Sequence, residues 1–266
     1  MMKIKFALLS LAFSVCACTA PVNPNQTVAS LNPGVKRFVG HVLNSDALVA
    51  FTVEGNQISA YACGGEQTLG LSGWFRGNVD GSRIEVNSDN QSVIKGSWSA
   101  AGPDQASSAA GDITLPDGSK MQWQVDAARD KSPAGLYRYA ESNQSAGVII
   151  TNDGQAQGVY SMKAPPAAGV SVAAQDAPSE GRFLAQAGEH DGPAQPAEPL
   201  AIMLFSSGDV STQIRLDAKA PGLSSLSDCK QVKVFVPAFG AGSTGDEIGG
   251  SFVTKTVAAV GSKGCS

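Results

Sequence analysis

Between Val35 and Lys163 hydrophobic and polar residues alternate in short runs separated by glycine turns. The cleanest run is Lys120 to Asp126, where Met121, Trp123 and Val125 fall on one face and Lys120, Gln122, Gln124 and Asp126 on the other. Successive side chains of a strand point to opposite faces, so this run predicts a strand with one buried and one wet side. Ile84 and Val86 oppose Arg83, Glu85 and Asn87 in the same way. From Leu48 to Val86 the pattern is doubled: LVAFTVEGNQISAY, then WFRGNVDGSRIEV, each folded about a tight turn. The turns are Glu54-Gly55-Asn56 and Asp80-Gly81-Ser82, and they return as Asp117-Gly118-Ser119 and Asn152-Asp153-Gly154-Gln155. Glycine, with no Cβ, takes the positive φ that such reversals require.

Eleven runs of this kind lie between RFVGHVL at 37–43 and QGVYSMK at 157–163. Strands at intervals of about 8 to 12 residues with turns between them indicate an all-β sandwich or barrel. Sequential hairpins favour a meander, and a meander of this size hides its edges most simply by closing. The expectation is an all-β fold, an antiparallel meander closing into a barrel-like domain over residues 36–163, with a two-sheet β-sandwich as runner-up. Residues 164–199 hold six of the chain's fourteen prolines and much Ala and Gly, and read as a linker. Within them Ser179 to Glu189 is a weak candidate for a short helix, since Gly181 and Gly188 oppose it. Residues 200–266 carry four further strand candidates, LAIMLFS, STQIRLD, QVKVFV and SFVTKTVAAV. They form a small carboxy-terminal β unit that is marginal alone and is expected to dock on the first.

Composition agrees with many short strands: 30 Gly and 14 Pro against 16% charged residues. The formal charge of −4, with no clustered Lys or Arg, sets nucleic-acid binding aside.

Met1 to Cys18 reads MMKIKFALLSLAFSVCAC, two lysines followed by an apolar run and small residues. This is the pattern of a signal peptide, too short for a membrane-spanning helix of roughly 20 apolar residues. Its end, Val15-Cys16-Ala17-Cys18, resembles the lipobox of bacterial lipoproteins, with Val15 in place of the usual Leu. That resemblance implies residues 1–17 as signal peptide, lipidation at Cys18 and a cell-envelope location, anchored to a membrane. Thr19 follows the cysteine, and the absence of Asp at that position resembles lipoproteins sorted to the outer membrane. An ordinary secretory cut after Ala20 is the alternative. Removing residues 1–17 takes away Lys3 and Lys5 and no acid, which lowers the formal charge from −4 to −6. Residues 18–35 then read as a proline-containing tether.

Of the remaining cysteines, Cys229 and Cys265 lie in the same carboxy-terminal unit and are expected to form a disulfide in an oxidising compartment. Cys63 is read as a small buried hydrophobe. Gly240 to Gly245 fits G-x-G-x-x-G, but no helix pattern follows it, so it is read as a loop. Neither His41, in FVGHVL, nor His190, in GEHDG, is matched with an activated serine, and no metal-ligand spacing is present. Glu66 is the acid least explained by turn chemistry. Tyr61, Trp74, Trp98, Trp123 and Tyr137 come from different strands and are the candidate ligand-binding set: rings converging at a barrel mouth stack on a sugar or hold an apolar ligand.

Four stretches resemble a β-rich module of secreted and lipid-anchored bacterial proteins: Ala60 to Cys63, Gly73 to Gly77, Leu115 to Gly118 and Gly135 to Arg138. The resemblance covers about Phe38 to Tyr139, supports export and a β fold, and implies no activity. The reading is a non-catalytic envelope lipoprotein, with no catalytic residues, no metal and no cofactor. Its expected partners are the membrane, through the lipid, and a small molecule in the barrel. An interaction protein with a filled barrel and an exported hydrolase are the alternatives.

Overall fold

The computed structural model describes residues 34–99, 107–163, 183–185, 201–206, 209–216, 219, 221–237 and 250–265. The chain is all-β as expected. Eight strands form a closed antiparallel barrel: β1 (Val35–Val42), β2 (Leu48–Glu54), β3 (Gln57–Cys63), β4 (Gly73–Asn78), β5 (Arg83–Ser88), β6 (Val93–Ser99), β7 (Ser108–Thr114) and β8 (Lys120–Ala127). Each pairs with the next, and β1 closes on β8 with Gly40 opposite Val125. Gly55, Gly81, Gly118 and Gly154 take φ values of 60°, 58°, 85° and 85°, so all four predicted turns use glycine for the left-handed conformation.

The inward positions fill the barrel. Phe38, Phe51, Phe75, Ile84, Ile94, Ile113 and Trp123 are buried side by side, with Phe38 stacked on Phe51 at 4.6 Å and Trp123 edge-on to Phe51 at 6.0 Å. Eight strands enclose a space that side chains just fill. Gly96 makes that filling possible, since a Cβ there would stand 2.5 Å from the Trp123 ring. Burial of each large apolar side chain contributes about 1.5–3 kcal/mol. On β5 and β8 the outward positions are polar, among them Arg83, Glu85, Gln122 and Gln124, the reverse of a barrel that faces lipid.

The barrel ends at β8, although the alternation through residue 163 reads as one continuous meander. Strands β9 (Gly135–Glu141), β10 (Gln144–Ile150) and β11 (Ala156–Met162) belong instead to a second, eight-stranded antiparallel sheet. Its other strands are β12 (Phe183–Ala185), β13 (Ala201–Ser206), β14 (Asp209–Arg215), β15 (Cys229–Pro237) and β16 (Gly250–Ala259), in the order β12-β13-β14-β11-β10-β9-β16-β15. The carboxy-terminal strands therefore complete a sheet begun by β9–β11, and the expected boundary at 163 falls inside it. The physical reason is that β8 finds its second partner in β1, which leaves the next strand no barrel edge to extend. Residues 183–185, inside the weak helix candidate, are a strand; the rest of 164–199 lies outside the described residues. The other helical pieces described are a 3₁₀ turn at Leu69–Leu71 and α1 at Pro221–Ser224.

The second sheet buries both faces. One holds Tyr137, Val148, Ile150, Tyr160, Val232, Val234 and Val257, with Leu223 of α1 against them. The other packs on the outside of the barrel: Leu136, Ile149 and Val159 meet Val39, Leu48, Ala50, Tyr61 and Cys63. That is why β2 and β3 are apolar on both sides, with burial along almost their whole length. The closest fit is at Gly147, where a Cβ would stand 2.4 Å from the Tyr61 ring. Cys229 and Cys265 form the expected disulfide, closing a loop of 36 residues with a Cα separation of 5.8 Å. Such a cross-link contributes roughly 2–4 kcal/mol.

The Gly147 notch gives a direct test. Gly147→Ala is expected to lower the unfolding free energy by about 1–3 kcal/mol through overpacking against Tyr61. The same substitution made on a Tyr61→Ala background is expected to cost much less, a non-additivity that denaturant titration of the four proteins measures.

Candidate functional site

The five aromatic candidates divide among three environments and do not converge on one cavity. Trp123 is 1% exposed inside the barrel. Trp98 is half-buried against the same interior, its ring 6.5 Å from Phe38 and with Lys36 Nζ 5.9 Å from its centroid. Tyr137 is in the core of the second sheet, where its hydroxyl donates to the Pro133 carbonyl at 2.5 Å. Tyr61 and Trp74 alone are brought together, 4.6 Å apart on the outer wall of the barrel. They sit on adjacent strands at paired positions, both pointing away from the filled interior.

Beside Trp74 the seam between barrel and second sheet opens into a groove of about 480 Å³. The barrel contributes Ser72, Gly73, Trp74, Asp89 and Asn90; the second sheet contributes Arg138 of β9, the β9–β10 turn, Ser145 and Ser161. Arg138 shares the face of β9 that carries Leu136, so the packing that buries Leu136 on the barrel also carries the guanidinium over to Trp74. Its Cζ is 5.2 Å from the indole centroid, and that of Arg76, from β4, is 5.7 Å from it. Each such contact contributes about 0.5–2 kcal/mol. Burial, and then the neighbouring Arg76, hold Arg138 below the ordinary arginine range, while Asp89 opposes both. Arg138 Nε is buried with no hydrogen-bond partner among the described residues.

The polar wall sets donors such as Arg138 and Asn90 beside the carboxylates of Asp89 and Glu141. The Asn90 side-chain oxygen accepts from Ser88 Oγ and from the Ser92 amide, which leaves its NH₂ group, close to Gly73, for the groove. Gln144 Oε1 accepts from Lys255 Nζ at 3.1 Å on the opposite face of the second sheet, the one that carries Tyr139. Arg138 was not singled out from sequence. It stands in GLYRYA as an ordinary polar member of an alternating run, and only its parity with Leu136 hints at the side it takes.

The other chemistry-bearing residues lie apart. His41 is on β1, as expected, and its Nε2 is 3.9 Å from Asp153 Oδ2 across a shallow pocket of about 290 Å³. The hydroxyl in that pocket, of Thr151, donates to Asp153, which lowers the Asp153 carboxyl more than His41 does. Cys63 is fully buried under the second sheet, where burial pushes its thiol well up and Gln157 donates to its carbonyl at 2.6 Å. Glu66 lines a pocket of about 390 Å³ with Asp46, whose carboxylate is taken up by Thr68 Oγ1 at 2.5 Å and the Gln67 amide at 2.9 Å. Among the described residues no three His, Cys, Asp or Glu side chains are grouped to hold a metal. Cys18, His190 and the Gly240–Gly245 loop lie outside the described residues.

Lys230 is the least ordinary titratable group. It has no solvent exposure, donates to the Ser225 carbonyl, and stands 5.3 Å from the Tyr137 ring centroid. Burial lowers its ammonium to about 8, against the opposing effect of Asp228.

No protein-family profile, no curated protein and no solved structure gives a significant match to this chain.

Lys230 sets a pH dependence. Between pH 8 and roughly 10.4, the ordinary lysine value, the unfolded chain binds a proton that the folded chain has lost, so this group's contribution to stability rises with pH. Cys63 and the buried phenols of Tyr61 and Tyr137, all raised by burial, act in the opposite sense as the unfolded chain ionises. The comparison that isolates Lys230 is with Lys230→Met. That variant is expected to be more stable than the parent at pH 7, and its advantage to shrink steadily from pH 8 to pH 10 in denaturant titrations.

Proposed function

We propose that this chain is a cell-envelope lipoprotein, anchored through Cys18, that binds a small sugar-like ligand without transforming it. The observation that carries the binding half is the groove at Trp74. It combines a half-buried indole with amide, hydroxyl and guanidinium donors, the combination that recognises a ring with one apolar face and polar substituents. Because the barrel interior is filled, this reading puts the ligand at the seam and not in the lumen that the sequence pattern suggests. The anchoring half rests on the signal-peptide pattern ending at Cys18 and on the proline-containing tether that separates it from β1.

A second reading is favoured by the same filled barrel: a structural or interaction protein of the envelope that carries no small ligand. In both readings the protein needs no cofactor, and among the described residues no nucleophile is bonded to His41 of the His41–Asp153 pair.

Titration of the mature protein with a panel of oligosaccharides, followed by tryptophan fluorescence, separates the two. Binding is expected to perturb the emission of Trp74 and to leave Trp123 unaffected. Trp74→Ala is expected to remove the signal and weaken binding at least tenfold, about 1.4 kcal/mol. A panel without a binder overturns the ligand reading in favour of the structural one. Mass spectrometry of the mature amino terminus is expected to find an acylated Cys18; an unmodified start after Ala20 overturns the anchor.

A further inference from the structure

The two guanidiniums at Trp74 come from different sheets. Arg76 projects from the outer face of β4, and Arg138 crosses the seam from β9, so the docking of the sheets drives two like charges to a single indole. Like charges brought together cost energy in proportion to how poorly water screens them. Among the described residues neither arginine has a carboxylate within 4 Å; the ion pairs found are His41–Asp153 and the Arg83 and Lys95 pairs with Glu85. Nor is Arg138 Nε, which is buried, given an acceptor by any of the described residues. A buried donor left without its bond is costly, so an acceptor offered there is favoured. The Asn90 amide repeats the pattern, since its oxygen is spent on internal contacts and its NH₂ group lies by Gly73 at the groove. Two acids also line the groove. Asp89 is near enough to act on Arg138 without pairing, and Glu141 bonds with Tyr139.

A neutral sugar offers hydroxyls that both donate and accept and gives such a wall no particular advantage. An acceptor-only group does: a planar carboxylate matches the fork of a guanidinium, and charge-assisted bonds of this type are about twice as strong as neutral ones. Resting on the sugar-binding reading above, we propose that the groove takes a sugar ring bearing a carboxylate, the ring lying against Trp74 and the carboxylate on Arg138, with Arg76 supplying the second positive charge. Asp89 then serves the ring hydroxyls as an acceptor.

The experiment is calorimetric titration of the mature protein with trigalacturonate and with the neutral galactotriose. The acidic trisaccharide is expected to bind at least tenfold more tightly. Arg138→Gln is expected to remove at least tenfold of the affinity for trigalacturonate while changing that for galactotriose less than threefold, and Arg138→Lys to recover part of the loss. Arg76 is exposed, so Arg76→Gln, with a melting temperature equal to the parent's, is the variant that separates recognition from folding; it is expected to reduce the preference for the acid severalfold. Equal binding of the two sugars, or a preference for the acid that survives both glutamine variants, overturns the carboxylate assignment and leaves the groove as a neutral-sugar site. Binding of neither overturns the sugar-binding reading as well.

Discussion

The structure depends on the outer wall formed by β1, β2 and β3, which is apolar toward the lumen and apolar toward the second sheet. Most strands of a barrel need one greasy face. These need two, because Val39, Leu48, Ala50, Tyr61 and Cys63 are the floor on which β9–β11 rest. Tyr61 enters the space that Gly147 lacks a side chain to fill, so the two sheets are held at one lateral position rather than free to slide. Everything at the groove follows from that fit. Arg138 reaches Trp74 only because Leu136, two residues earlier on the same face, is already buried against the barrel.

The packing of the lumen has an equally direct effect on where a ligand finds room. Trp123, the three phenylalanines and the isoleucines between them occupy the inside, and glycines at 96 and 111 yield their side-chain space so that the wall strands and the indole fit. Aromatic residues that alternate inward in an eight-stranded barrel are thereby spent on cohesion. Trp74 escapes this because its parity on β4 is opposite to that of Phe75, and because the second sheet covers its neighbour Tyr61 more completely than it covers Trp74 itself. The half-cover leaves a ring with one accessible region next to donors from another part of the chain.

Much of the fold was legible in the residues. Alternation at Lys120 to Asp126 and at Arg83 to Asn87 identified strands and the side each buries, and the four glycine reversals were placed because only glycine takes that backbone angle cheaply. The pairing of Cys229 with Cys265 followed from their shared unit. Where the barrel closes was not legible, since strand β8 looks locally like any other and its partner β1 is some 80 residues away. The clue lay in LVAFTV and GVIIT, whose uninterrupted apolar character marks burial on both faces. The candidate site was half legible: Tyr61 and Trp74 were on the page as aromatics, but their separation from Trp98, Trp123 and Tyr137 is a matter of parity and partner. Arg138 was invisible, because its neighbours across the seam are remote in sequence.

The sheet order carries one more implication. Strand β9 lies between β10, which follows it directly, and β16, which is separated from it by more than a hundred residues. The hydrogen-bonded ring of the barrel comes from one contiguous stretch, whereas β9 takes its second partner, at Tyr137 and Arg138, from β16. The hydrogen bonding of the barrel is thus complete by Ala127, while that of the second sheet draws on strands from Gly135 to Ala259.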